Sequence, residues 1–265
     1  MEREPMNKHL FKMILATITT ICVLFLCSPA IELFKFCFSK SIFLIFDSFV
    51  LQAIIVSLKS TIIALIIIII MGIPTAYYMA NYSFLGKGLI EIILELPLVL
   101  PPAVAGILLL ITFGRNGHIG RYLAVLGIQL PFSFTAVVMA QLFVSLPIFI
   151  KTSKEGFEKV DCELKNAGAA LGLSEWQVFK YITLPLSKNT LLVGAVLSWA
   201  RSLAEFGATI LFAGNLAGKT QTLPLAIYIA MEKDLNLSMS IAVCLVVISV
   251  GVLVIVKGIH KKEIF

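Results

Sequence analysis

The stretch STIIALIIIIIMGIPTAYYMA, residues 60–80, carries no charged side chain. About 20 apolar residues are what a helix needs to cross the hydrocarbon core of a bilayer. The isoleucines would favour a strand in water. In lipid, however, a lone segment must satisfy its own backbone hydrogen bonds, and only a helix does so. Tyr77 and Tyr78 close the run with rings suited to the membrane–water boundary. Read as a membrane helix, this stretch sets the interpretation of everything around it.

The rest of the chain agrees with that reading. Of 265 residues 59% are hydrophobic and 14% charged, whereas soluble domains average roughly 25% charged. Apolar runs predict six spans, over residues 11–31, 54–80, 90–114, 132–150, 190–212 and 239–256. The first follows a basic flank of Arg3, Lys8 and Lys12 like that of a signal peptide. It is longer than a usual signal core and lacks an A-x-A-like exit, which favours an uncleaved span. LFLC, residues 24–27, hints at a lipid-modified cysteine, but bulky Leu26 stands where a small residue is wanted. Cys22, Cys27, Cys37, Cys162 and Cys244 form no C-x-x-C pair; most lie within or beside apolar runs and read as small membrane-buried residues.

The net charge of +6 comes from scattered lysines rather than a cluster, so nucleic acid is not expected as a partner. With the N-terminus inside the cell, thirteen basic residues fall on the cytoplasmic side and seven outside, which places both termini in the cytoplasm. On that map one cytoplasmic loop is long, 151–189. Ala167, Ala170, Leu171, Leu173, Trp176, Phe179 and Ile182 recur in it at helical intervals. They predict amphipathic helices broken near Gly172 and ended by Pro185. Such a loop either contacts a partner or lies in the headgroup layer, where Lys165, Lys180 and Trp176 would suit it.

Catalytic and metal-binding constellations are not expected: His9, His118 and His260 are scattered, and no Ser/His or paired-Asp set falls within the spans. Charges at membrane depth are the residues with something to do, since each costs at least about 2.5 kcal/mol at mid-bilayer. Arg201 and Glu205 stand one helical turn apart in the fifth span. They face a water-filled path, or else form a self-neutralising pair that packs the bundle. Glu91 and Glu95, also one turn apart, read as a snorkelling, solvated face. LPLVLPPAVAG, residues 96–106, puts Pro97, Pro101 and Pro102 into the third span, and Pro74 and Pro147 interrupt the second and fourth. Proline-kinked helices around a cavity suit a transport path.

AGNLAGKT, residues 213–220, nearly spells the nucleotide-binding pattern G-x-x-x-x-G-K-[ST]. No soluble strand precedes it and the predicted topology puts it outside the cell, so ATP binding by this stretch is not expected.

NAGAALGLSEWQVFKYITLPL, residues 166–186, resembles the coupling loop of ABC importer permeases, whose pattern is E-A-A, three residues, Gly, nine residues, then I-x-L-P. Ala167, Gly172, Ile182, Leu184 and Pro185 match in register, while Asn166 replaces the glutamate and Gly168 the second alanine. LPLVLPPAVAG, GIQLPFSFTAVVMAQLFVSLPIFIKT (127–152) and WARSLAEFGATILFAGNLAGKTQTLPLAIY (199–228) are similar to molybdate permeases; tungstate and sulfate permeases share the architecture. The resemblance implies an all-α, six-span permease of the type I importer (MetI-like) fold, working as a homodimer. An N-terminal tail, first span and outer loop (1–50) would precede the permease domain (51–258), and a short cytoplasmic tail (259–265) would follow it. Two ATP-binding subunits would dock at Asn166–Gly172 and Ile182–Pro185, and an external molybdate-binding protein would deliver the anion. ATP would then be bound by the partner, with no cofactor on this chain. Arg201, Glu205, Pro101 and Pro102 are the candidates for the translocation path. An intramembrane protease lacks its side chains here, and a plain anchor leaves the broken spans unexplained.

Overall fold

The computed structural model describes residues 8–40 and 42–262; residues 1–7 and 263–265, the outermost parts of the two expected tails, lie outside the described residues. All the described elements are helical: α1 (Lys8–Lys40), α2 (Ser48–Asn81), α3 (Lys87–Val99), α4 (Pro102–Phe113), α5 (His118–Val125), α6 (Phe134–Glu158), α7 (Cys162–Ala170), α8 (Glu175–Val178), α9 (Leu184–Leu203), α10 (Gly207–Phe212), α11 (Leu223–Lys233) and α12 (Leu235–Lys262). Side-chain caps start two of the long helices, each satisfying an amide that the first turn leaves without a partner. Asp47 caps α2 by accepting from Phe49 N at 2.8 Å, and Ser133 caps α6 by accepting from Ala136 N at 3.2 Å. Lys59 stands on the exposed side of α2.

Helices α2, α6 and α9 pack together as the centre of the bundle. In lipid no hydrophobic force drives helices together, so close packing of small residues and hydrogen bonds between helices must do so. Gly72 sits under the Phe149 ring, Gly156 against Thr190, and Gly194 against Thr152 and Phe149. Buried hydroxyls add cross-links: Gln141 donates to Ser60 at 3.0 Å, Ser202 to Ser145 at 2.9 Å, and the Leu223 amide to Ser57 at 2.7 Å. Each such bond contributes about 0.6 kcal/mol on average. Helix α1 lies outside this centre against α12, with its apolar surface exposed.

Among the described residues four helices are long and apolar enough to cross a membrane, and a fifth crossing is formed if α3 and α4 count as one span. Two of the expected spans are not single helices. The third, expected to kink at its prolines, instead breaks, with 115° between α3 and α4. A residue before proline is driven out of the helical region. Leu100 is accordingly extended, at φ −69° and ψ 135°. Pro102 then opens α4 at the position where its missing N–H costs nothing. The fifth, expected to run over 190–212, begins earlier at Leu184 and breaks after Leu203, with α10 resuming at Gly207.

Pro185 does not end a helix as expected. A wider, π-type turn over Phe179–Thr183 precedes it, and the Leu184 amide reaches back to Phe179 O. This turn seats the proline in the first turn of α9, where it owes no hydrogen bond. The helical path therefore continues from Glu175 to Leu203.

Candidate functional site

Two places collect the residues singled out from the sequence. The first is the segment between α6 and α9. Asp161 caps α7 by accepting from Glu163 N at 2.9 Å. Gly172, in the left-handed region at φ +86°, ends it. Gly172 N donates to Ala169 O at 2.9 Å and Leu173 N to Gly168 O at 3.1 Å, the paired bonds of a Schellman turn. Ser174 and Gln177 then form a reciprocal capping box that starts α8.

Gly168, the departure from the alanine of the loop pattern, is buried, and a Cβ there would lie 2.6 Å from Ile182 Cδ1. The glycine lets α7 lie directly on the π turn. Leu173, Phe179 and Ile182 turn inward beside buried Val178, whereas Leu164, Ala167, Ala170, Leu171 and Trp176 face out, with Leu171 84% and Trp176 67% exposed. The periodic apolar residues thus split between two faces, and the outward one is unusually apolar. Asn166 and Pro185 are exposed as well.

The segment is fastened to the ends of the spans. Lys165 Nζ donates to Asn81 Oδ1 at 2.7 Å and to Phe157 O at 3.4 Å, tying α7 to the ends of α2 and α6. The Tyr82 hydroxyl donates to Glu175 Oε2 at 3.1 Å, and that hydrogen bond raises the phenol's pKa above its ordinary value. Phe157, Phe179 and Tyr77 meet edge to face beneath. A mostly apolar groove of about 640 Å³ opens beside them, walled by Ile70, Pro74, Tyr78 and Trp176.

Near the same end, Glu91 and Glu95 are not merely a solvated face. Lys154 Nζ lies 2.5 Å from Glu91 and 3.6 Å from Glu158, and Lys151 Nζ 3.1 Å from Glu95. These pairs hold α3, which buries no residue of its own, against α6.

The second place is where the two broken spans meet. A Cβ on Gly207 would lie 2.7 Å from Pro102 Cβ, and one on Gly106 2.9 Å from Leu211 Cβ and 3.0 Å from Ala208. Small residues on both sides let α4 and α10 touch, which brings Pro101 and Pro102 to the turn that carries Glu205. That carboxylate, 1% exposed, does two things: Oε1 accepts from Ala208 N at 2.8 Å, supporting the start of α10, and Oε2 lies 2.6 Å from Arg201 Nη1. Gly207 and Gly106 were not singled out from the sequence, although Ala103, Ala105 and Gly106, and Gly207 with Ala208, are clusters of the small residues that let helices approach closely.

The stretch 213–220 is a turn between α10 and α11. Gly214 and Gly218 take positive φ, and Thr220 Oγ1 accepts from the Leu216 amide at 2.9 Å. Flanked by helices and closed on itself, it has none of the strand-to-helix geometry of a phosphate loop. Among the described residues no three His, Cys, Asp or Glu side chains gather as a metal site.

Residues 72–263 match the family described as binding-protein-dependent transport system inner membrane component. The molybdenum transport system permease protein of Haemophilus influenzae is 47% identical over 159 residues, covering 60% of this chain and 69% of the relative. The sulfate transport system permease protein of Escherichia coli is 35% identical over 178 residues, 67% of this chain and 64% of the relative. A bacterial ABC transporter involved in the import of alginate has a similar fold: TM-score 0.77 at 16% identity, over 96% of this chain and 95% of that one.

Proposed function

The chain belongs to the inner membrane components of binding-protein-dependent transport systems, and from that premise we propose that it is the permease subunit of an ATP-driven importer of molybdate. The observation that carries this reading is the apolar outward face of α7 and α8, of which α8 runs without interruption into α9. From Glu175 to Leu203 the helical path is about 43 Å long at roughly 1.5 Å per residue. Exposed Trp176 lies at one end, with exposed Leu171 in the turn just before it, and Arg201 lies at the other, with Glu205 two residues past it.

Two ATP-binding subunits dock on that face, an amphipathic helix-in-groove contact centred on Ala167, Gly168 and Gly172. Asn166 takes the glutamate's place at the rim, while Ile182, Leu184 and Pro185 set the angle at which the docked segment enters α9. ATP stays on those subunits, and this chain holds no cofactor. Closure of the ATP-bound pair tilts the α8–α9 rod, and the breaks at Pro101–Pro102 and at 204–206 absorb the change as hinges. The chain crosses the membrane six times, as α1, α2, α3–α4, α6, α9–α10 and α12. Both termini are cytoplasmic, the chain pairs with a second copy, and an external oxyanion-binding protein feeds it.

Molybdate is favoured over sulfate by the higher identity to the molybdenum permease, 47% against 35%. The test is uptake into proteoliposomes holding this chain, its ATP-binding subunit and its binding protein. Accumulation of molybdate only with ATP, unaffected by a large excess of sulfate, is expected. Equal accumulation of sulfate would overturn the substrate.

A further inference from the structure

Arg201 and Glu205 form an asymmetric pair. The carboxylate is buried and committed twice, to Ala208 N and to Arg201 Nη1. The guanidinium is 31% exposed, and Glu205 is its only protein partner among the described residues. A guanidinium has five N–H donors arranged as a planar fork, and its pairs with carboxylates are frequently bidentate, using both oxygens. Here one oxygen approaches one nitrogen, and without hydrogen-bond alignment. Most of the donors are left to the open side. That side continues the exposed face of α9, on which Val193, Leu197 and Ala204 are the apolar neighbours, opposite buried Ser198 and Ser202.

We propose that Arg201 is the contact through which a tetrahedral oxyanion passes membrane depth, and that Glu205 is a built-in stand-in for that anion. The inference rests on the transport reading above. With no anion present, the carboxylate neutralises the guanidinium and keeps it from being an isolated charge in the membrane. When the anion arrives, two of its equivalent oxygens take the free edge of the fork. The neighbouring carboxylate repels the anion and keeps the site from becoming a trap, as passage requires binding strong enough to enter and weak enough to leave. Glu205 is thus a positioning residue, and Arg201 the specificity-determining one for anions over neutral solutes.

The test uses the complete complex in proteoliposomes, comparing Arg201→Gln, Glu205→Gln and the double variant. Glutamine at 205 keeps an oxygen for Ala208 N, so the start of α10 is preserved while the charge is lost. Arg201→Gln is expected to lower molybdate uptake about tenfold or more, and the double variant is expected to stay equally low. Glu205→Gln is expected to leave tungstate held about tenfold more tightly by the complex without its binding protein, and to slow turnover. If the double variant regains wild-type uptake, the pair only neutralises itself and the proposal is overturned; unchanged uptake by Arg201→Gln does the same. Should the glutamine variants fail to assemble, Arg201→Lys keeps the charge and loses the fork. It should raise the concentration needed for half-maximal uptake while binding-protein stimulation of ATP hydrolysis persists, and wild-type uptake by it would overturn the proposal. A wild-type complex that accumulates no oxyanion fails the transport reading itself, a distinct outcome read before any variant.

Discussion

Replacing Gly172 tests whether the α7–α8 turn is what the ATP-binding partner recognises. Its φ of +86° lies in the left-handed region, and a Cβ built there meets no atom within 4 Å. Steric contact therefore contributes nothing, and the whole cost is in the backbone. A residue with a side chain loses about 1–2 kcal/mol in that conformation, with asparagine losing less and β-branched residues more. If docking requires the Schellman turn, that cost appears directly as a weaker complex. One to two kcal/mol is roughly a five- to thirtyfold rise in Kd. The assay is equilibrium binding of the purified ATP-binding subunit to detergent-solubilised permease, for Gly172, Gly172→Asn, Gly172→Ala and Gly172→Val. The expected order of affinity is glycine, asparagine, alanine, valine. A valine variant that binds like the wild type, or an asparagine variant weaker than alanine, would refute the reasoning, because the effect would not follow backbone conformation.

Gly72→Ala should destabilise the bundle, since its Cβ would overlap Phe149 Cδ1 and that ring is 1% exposed with nowhere to withdraw. Overpacking of this kind costs about 1–3 kcal/mol; a drop of several degrees in Tm, partly restored by adding Phe149→Leu, is expected, and an unchanged Tm would contradict it. Lys154→Gln removes the pairs to Glu91 and Glu158. Because both carboxylates are partly solvated, the loss should be small. The Tm difference from wild type should shrink as salt is raised toward about 1 M, where screening acts over about 3 Å; a difference that persists in high salt would show that Lys154 holds α3 by packing.

How much was legible in the sequence depended on whether the governing physics was local. The second span was legible because lipid leaves an uncharged run one solution, and α2 takes it. The Gly172 turn was equally plain, since glycine supplies the left-handed residue that ends α7. The prolines were visible but their effect was not. Pro101 and Pro102 act jointly with Leu100 to break the chain, and Pro185 is absorbed by a wider turn on which α7 can rest only because Gly168 leaves room for Ile182. Arg201 and Glu205 announced themselves by their spacing, yet only the fold shows that Gly207 abuts Pro102 and so joins the two breaks. Lys165 and Glu91 find their partners, Asn81 and Lys154, far away in the sequence, and local patterning gives no sign of either.

The turn after α9 should lie on a path whose access follows the nucleotide state. Ala204, exposed beside Glu205, is the position to probe. With Cys22, Cys27, Cys37, Cys162 and Cys244 replaced, Ala204→Cys is reacted with a membrane-impermeant thiol reagent in the assembled complex, nucleotide-free and with ATP trapped. Labelling rates that differ about tenfold or more between the two states are expected, because reactivity follows the population of the open state. A cysteine unreactive in both states, or equally reactive in both, would contradict a path through this turn.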